Sequence, residues 1–213
     1  MAADEDLTAD AYTVLRHQMV EEDIQRRGVL DEAVLEAMRR VPRHRFVPSD
    51  LQRAAYADRA LPIGGGQTIS QPYIVARMIE LAAVTPTARV LDVGTGSGYA
   101  AAVLAEIADE VVTVEIRDDL AKTAKTTLVE LGYDNIDCRH GNAAALDLGS
   151  FDSILVAAAT RESPPGLELQ LADGGRLVIP LGSRASQRLW VIERSGDELL
   201  RRPHESVAFV PLL

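Results

Sequence analysis

Apolar positions recur at helical spacing over residues 8–27 and again over 31–40. In the second stretch Val34, Leu35, Met38 and Val41 form the stripe, and Asp31 stands where an N-cap would. Gly28 separates the two helices, Pro42 and Pro48 then interrupt helix twice, and residues 51–56 predict a short third helix. Residues 72–84 carry a wide apolar face through Ile74, Val75, Met78, Ile79 and Leu81. Beyond them the period alternates. Strands are predicted over 89–93, 110–116, 135–139, 151–157 and 175–180, and helices over 98–108, 118–131 (closed by Gly132) and 164–171. Alternation of this kind predicts a parallel sheet covered on both faces. Residues 188–194 and 206–212 are strand-like around a Ser195-Gly-Asp-Glu turn signal, so the end of the chain is expected to add antiparallel strands. The fold class is therefore α/β: a Rossmann-like, doubly wound, mostly parallel sheet of about seven strands with an N-terminal helical elaboration. We expect one domain over 1–213, divided into the elaboration (1–60), a loop and helix (61–84) and the core (85–213).

Composition narrows the partners. Apolar residues make up 47% and charged residues 25%, the proportions of a globule rather than a disordered chain. A formal charge of -10 repels polyanions, so nucleic acid is not an expected partner. The acidic N-terminal stretch lacks the basic and then apolar pattern of a secretory signal, and Glu106 cuts the most apolar run, so no membrane span is expected. Cys138 is the single cysteine and allows no internal disulfide, which fits a reducing cytoplasm; the four histidines show no metal-ligand spacing. Cys138 and His140 share a face of a predicted strand, where a buried thiol beside a strand-end histidine is a better reading than a catalytic pair.

Two glycine-rich stretches carry the chemistry. Val90-Leu-Asp-Val leads into Gly94, Gly96 and Gly98 and then into a helix, the context in which a turn lets a ligand approach the backbone. The spacing is G-x-G-x-G, shorter than the G-x-G-x-x-G dinucleotide fingerprint, which disfavours a nicotinamide-dependent dehydrogenase. Glu115 ends the next strand about 20 residues on, where a carboxylate can accept hydrogen bonds from both ribose hydroxyls. Taken alone, Glu115 reads better as a solvated strand-end side chain; at this spacing from the glycine loop the ribose reading prevails, and a tight turn without a ligand is the lesser reading of the glycines. The second stretch, L61-P-I-G-G-G-Q-T-I-S-Q-P72, looks like a loop built around something. Its Ser70 is also placed to cap the helix that follows.

Strand, G-x-G-x-G, helix and a strand ending in Glu resemble the class I S-adenosylmethionine-dependent methyltransferases. The 61–72 segment, with V41-P-R-H-R-F-V-P48, L-G-Y-D-N-I, G-G-R-L-V-I-P-L-G and the closing F-V-P-L, resembles the protein-L-isoaspartate O-methyltransferase family from about residue 20 to the C-terminus. That resemblance implies methyl esterification of isoaspartyl carboxylates in damaged proteins and peptides, starting repair through a succinimide, with S-adenosyl-L-methionine as donor and S-adenosyl-L-homocysteine as product. It implies that Ser70 faces the methyl-accepting carboxylate and also contacts the donor. Further donor contacts are implied from Gln67, Thr68, Ile69, Gly94, Gly96, Ser97, Gly98, Glu115, Gly141 and Asn142, with no metal. A monomer is expected. A methyltransferase for another carboxylate, on a dedicated peptide or a small acid, and a non-catalytic nucleoside-binding relative are the alternatives. Where the family has G-D-G this chain has Gly141-Asn-Ala, so Asn142 keeps an acceptor oxygen but loses a charge, and the stretch from there to Phe151 is shortened. An acidic enzyme binding anionic peptides needs local positive potential, for which Arg43, Arg45 and Arg77 are candidates beside the plainer reading of solvated surface.

Overall fold

The computed structural model describes residues 7–212. The acidic stretch before Leu7 therefore lies outside the described residues. Helix α1 (Ala9–Gln18) starts at Thr8, whose side chain accepts from the Ala11 N–H, and runs on through a π-helical turn at Met19–Ile24. Gly28, left-handed at φ 97°, ends that run. The Asp31 carboxylate then caps α2 (Glu32–Arg40) by accepting from the N–H groups of Ala33 and Val34. Two 3₁₀ turns, Arg43–Phe46 and Ser49–Ala54, stand where one short helix was expected. Pro48 ends the first of them, because the residue before a proline, Val47, is held extended.

The 61–69 region is not an open loop. Strands β1 (Leu61–Gly64) and β2 (Gln67–Ile69) pair antiparallel as a separate two-stranded sheet, and helix α3 (Pro72–Ala82) follows. The core then alternates through β3 (Arg89–Val93), α4 (Tyr99–Ala105), β4 (Glu110–Glu115), α5 (Asp118–Glu130), β5 (Ile136–His140), β6 (Phe151–Val156) and α6 (Pro165–Glu168). The chain finishes with β7 (Leu171–Ser183), β8 (Ser186–Ser195) and β9 (Glu198–Val207). Strand order is β5-β4-β3-β6-β7-β8-β9. Pairing is parallel from β5 to β7 and antiparallel for β7–β8 and β8–β9. The expected antiparallel end is present, but its last strand covers 198–207 rather than 206–212.

Alternate side chains on the central strands divide the core in two. Val90, Val111, Leu155 and Val178 pack with the N-terminal helices, α3 and α4; Leu91, Val112, Ile154 and Leu177 pack on the opposite face with Leu148 and Leu167. Chain order reverses between β3 and β6, because β3, β4 and β5 step one way across the sheet and β6 returns to the other side of β3. At such a switch point the loops leaving the carboxyl ends of neighbouring strands diverge and leave a crevice.

Candidate active site

β3 is apolar apart from Arg89 at its start and Asp92, because a central parallel strand is buried on both faces. It ends at Gly94, φ 91°, a conformation L side chains rarely adopt, and the turn leads to Gly98, φ 90°, at the start of α4. A Cβ at Gly98 would also sit 3.2 Å from Leu128 of α5. Gly98 thus serves close packing and, unlike Gly94, Gly96 and Ser97, does not line the cleft.

Glu115 at the end of β4 is buried rather than solvated. Its Oε2 accepts from the Gly96 N–H at 2.9 Å and its Oε1 from the Arg117 N–H at 3.0 Å, so the carboxylate ties the glycine turn to the end of the neighbouring strand. Each oxygen keeps a lone pair, which is what two ribose hydroxyls would need.

These groups open onto a cavity of about 720 Å³, the size of a small-molecule site. Gln67, Thr68, Ile69, Ser70, Gly94, Gly96, Ser97, Glu115, Gly141 and Asn142 all line it. Asn142 already spends its Oδ1 on the Ala144 N–H at 3.0 Å, a local turn that fixes its side chain. Sequence reasoning missed the far wall, made by Arg184 in the β7–β8 turn and by residues 206–212. The buried Gln187 amide holds Phe209 from both sides, donating to its carbonyl at 3.2 Å and accepting from its N–H at 2.7 Å. Ala159 continues the hold, donating to Val210 and accepting from Leu212.

Ser70 is not the cap of α3. Gln71 occupies that position without a side-chain bond, and Asp58 caps from across the fold, its Oδ1 accepting from the Tyr73 N–H at 3.1 Å. The Ser70 hydroxyl has no hydrogen-bond partner among the described residues, while its carbonyl accepts from Arg43 Nη2 at 2.8 Å. Of the three arginines proposed from sequence, Arg45 pairs with Glu130 and Arg77 with Glu80 and Glu205, while Arg43 is fully buried behind the cleft lining. Arg184 is instead the exposed cation at the cleft and has no ion-pair partner among the described residues. Cys138 is half-buried against the core, burial pushes its thiol up to about 11, and His140 Nε2 bonds to the Ile116 carbonyl at 3.1 Å. A thiol so weakly acidic, beside a histidine bonded to backbone, forms no nucleophilic pair.

Asp92 lies beneath the glycine turn. It accepts from the Thr113 hydroxyl at 2.8 Å, and Thr113 is 2.6 Å from the Thr95 hydroxyl, which makes a buried chain from the core to the turn. Burial is the main cause that pushes the Asp92 carboxyl up to about 7; the Thr113 hydrogen bond opposes it and the Glu115 carboxylate reinforces it. The folded state therefore binds this proton more tightly than the unfolded chain. Its contribution to stability is complete below the ordinary carboxylate range and is lost as pH rises from about 4 through about 7, on the order of a few kcal/mol in total. Asp92→Asn should flatten the fall in melting temperature between about pH 4 and 7. A variant with the wild-type slope would show that another group causes it.

No group of three His, Cys, Asp or Glu side chains among the described residues is arranged to hold a metal. A switch-point cleft with a glycine turn on one strand and a buried carboxylate ending the next is the arrangement of class I S-adenosylmethionine-dependent methyltransferases. The sequence model of the protein-L-isoaspartate(D-aspartate) O-methyltransferase family matches residues 15–213, and the chain belongs to that family. It is 46% identical over 215 residues to the protein-L-isoaspartate O-methyltransferase of Koribacter versatilis, covering all of this chain and 96% of that one. It is 51% identical over 209 residues to the protein of the same name from a Picosynechococcus species, covering 97% and 94%. Among solved structures it is similar to one from Plasmodium falciparum, assigned as a protein-L-isoaspartate O-methyltransferase and holding S-adenosyl-L-homocysteine. There the TM-score is 0.81 at 27% identity, over 93% of this chain and 98% of that one.

Proposed function

We propose that this protein transfers the methyl group of S-adenosyl-L-methionine to the free carboxylate of L-isoaspartyl residues in proteins and peptides. The observation that carries the reading is the cleft, in which a serine with an unspent hydroxyl lines the same cavity as the glycine turn and Glu115. When bound, the donor supplies an electrophilic methyl group. Gly94, Gly96, Ser97, Glu115, Gly141 and Asn142 would hold it, with Gln67, Thr68 and Ile69 on the hairpin side.

A carboxylate is ionised at neutral pH, so its methylation needs no general base. The protein's work is alignment, which supplies roughly 7–11 kcal/mol when the reacting atoms are held in line. Ser70 orients the acceptor, and one hydrogen bond does so without over-stabilising a charge that disappears as the ester forms. Esterification gives the carboxyl carbon a methoxy leaving group, so the following backbone nitrogen attacks it, methanol departs, the succinimide re-forms, and hydrolysis opens part of it to ordinary aspartate. The N-terminal helical elaboration (1–60), the hairpin and helix (61–84) and the core (85–213) act as one domain in this reading, as a monomer in a reducing cytoplasm, away from nucleic acid and membranes. The net charge of -10 and the lone cysteine support it. No helix among the described residues is long and apolar enough to cross a membrane.

The deciding experiment offers the enzyme labelled donor with an isoaspartyl peptide and its aspartyl twin. We expect label in the first and none above background in the second. Equal labelling would point to a general carboxyl methyltransferase, and binding of S-adenosyl-L-homocysteine without methylation of either peptide to a non-catalytic relative.

A further inference from the structure

Arg43 is the only arginine or lysine among the described residues with no exposed surface. The 3₁₀ turn Arg43–Phe46, started after Pro42, points its side chain inward. Nε donates to the Ala55 carbonyl at 2.7 Å, Nη2 donates to the Ser70 carbonyl at 2.8 Å, and the guanidinium lies over the Tyr99 ring, 4.7 Å from its centre. Nη1 is buried and has no partner. No carboxylate among the described residues lies within ion-pair distance.

A buried cation whose opposite charge, Asp58, stays beyond ion-pair distance is costly, and fixing a turn to two neutral carbonyls would be served as well by a neutral donor. Burial lowers its pKa to about 10, which leaves it charged at neutral pH. The guanidinium holds the Ser70 carbonyl and lies against Tyr99, and Ser70 and Tyr99 both line the cleft. Building on the reaction proposed above, we infer that Arg43 is the positioning residue of the acceptor site. Its guanidinium fixes the Ser70 peptide so that the hydroxyl is presented to the cleft, and its unpaired charge draws the substrate carboxylate to that end.

The test is a double-mutant cycle on Arg43→Lys and Ser70→Ala, read with an isoaspartyl peptide, with S-adenosyl-L-homocysteine affinity and melting temperature measured alongside. Lysine keeps the charge but cannot make the fork to two carbonyls. Arg43→Lys is expected to lower kcat/KM about tenfold with product affinity within twofold, and to add little in the Ser70→Ala background, since both changes disable one device. Arg43→Gln should mainly raise KM for the peptide. Independent, multiplying losses, or a loss of melting temperature with kcat/KM unchanged, would make Arg43 a structural staple and overturn the inference. Should neither variant fold, nitrogen NMR of the Arg43 side chain in the wild-type protein decides. With S-adenosyl-L-homocysteine bound, adding the isoaspartyl peptide should shift the Nη signals and adding the aspartyl twin should not; unmoved signals refute the role. Wild-type enzyme that methylates neither peptide overturns the reaction instead, and the same titration still judges Arg43.

Discussion

Glu115→Ala is expected to weaken S-adenosyl-L-homocysteine binding by about 1–3 kcal/mol, between roughly fivefold and 150-fold, the range for losing a charge-assisted hydrogen bond. Two effects combine. The ribose loses its acceptor, and the N–H groups of Gly96 and Arg117 lose theirs, so the glycine turn is no longer tied to β4. Glu115→Gln should recover little, because an amide turns an N–H₂ toward one of those two backbone donors. Titration calorimetry separates the effects from ordinary destabilisation when read beside melting temperature. Unchanged affinity in the alanine variant would remove Glu115 from the donor site.

Ser70→Ala should slow methyl transfer by about one to two orders of magnitude, consistent with one hydrogen bond to a charged group at 1.5–3 kcal/mol. Donor affinity and thermal stability should stay near wild type. The expectation of unchanged stability follows from the geometry: the hydroxyl has no internal partner, and Asp58 rather than Ser70 satisfies the first turn of α3. A fall in melting temperature with normal turnover would reverse the assignment and make the hydroxyl structural.

Buried parallel strands were the most legible part of the sequence. Val90 to Val93 and Phe151 to Val156 are dense in apolar residues and bounded by turn signals, and the predicted limits fall within a residue of the observed ones. β9 was misplaced because Glu198 to Val207 is an edge strand with charges on both faces and Pro203 within it, so it shows no alternation. The β1–β2 hairpin escaped notice because its strands of four and three residues are too short to show a period and its three glycines read as loop.

At the site, the glycine turn at 94–98 and Glu115 could be read from their spacing, whereas Gln67 to Ser70, Gly141 and Asn142 could be named only through the family resemblance. Asp58, Gln187, Arg184 and the Phe209 to Leu212 wall could be read from neither. Their roles arise only when distant parts of the chain converge, and Asp58 and Gln187 look like any exposed polar residue until the fold places them. The Ser70 cap failed by a single position, since Gln71 takes the extended conformation that begins α3.

The cavity wall draws on the hairpin near residue 67, both carboxyl ends at 94 and 115, and the tail held by Gln187 near 209. A nucleoside seated there clasps early, middle and late portions of the polypeptide at once. Its departure should loosen all of them together, so amide hydrogens far from any ligand contact would exchange faster in the empty protein.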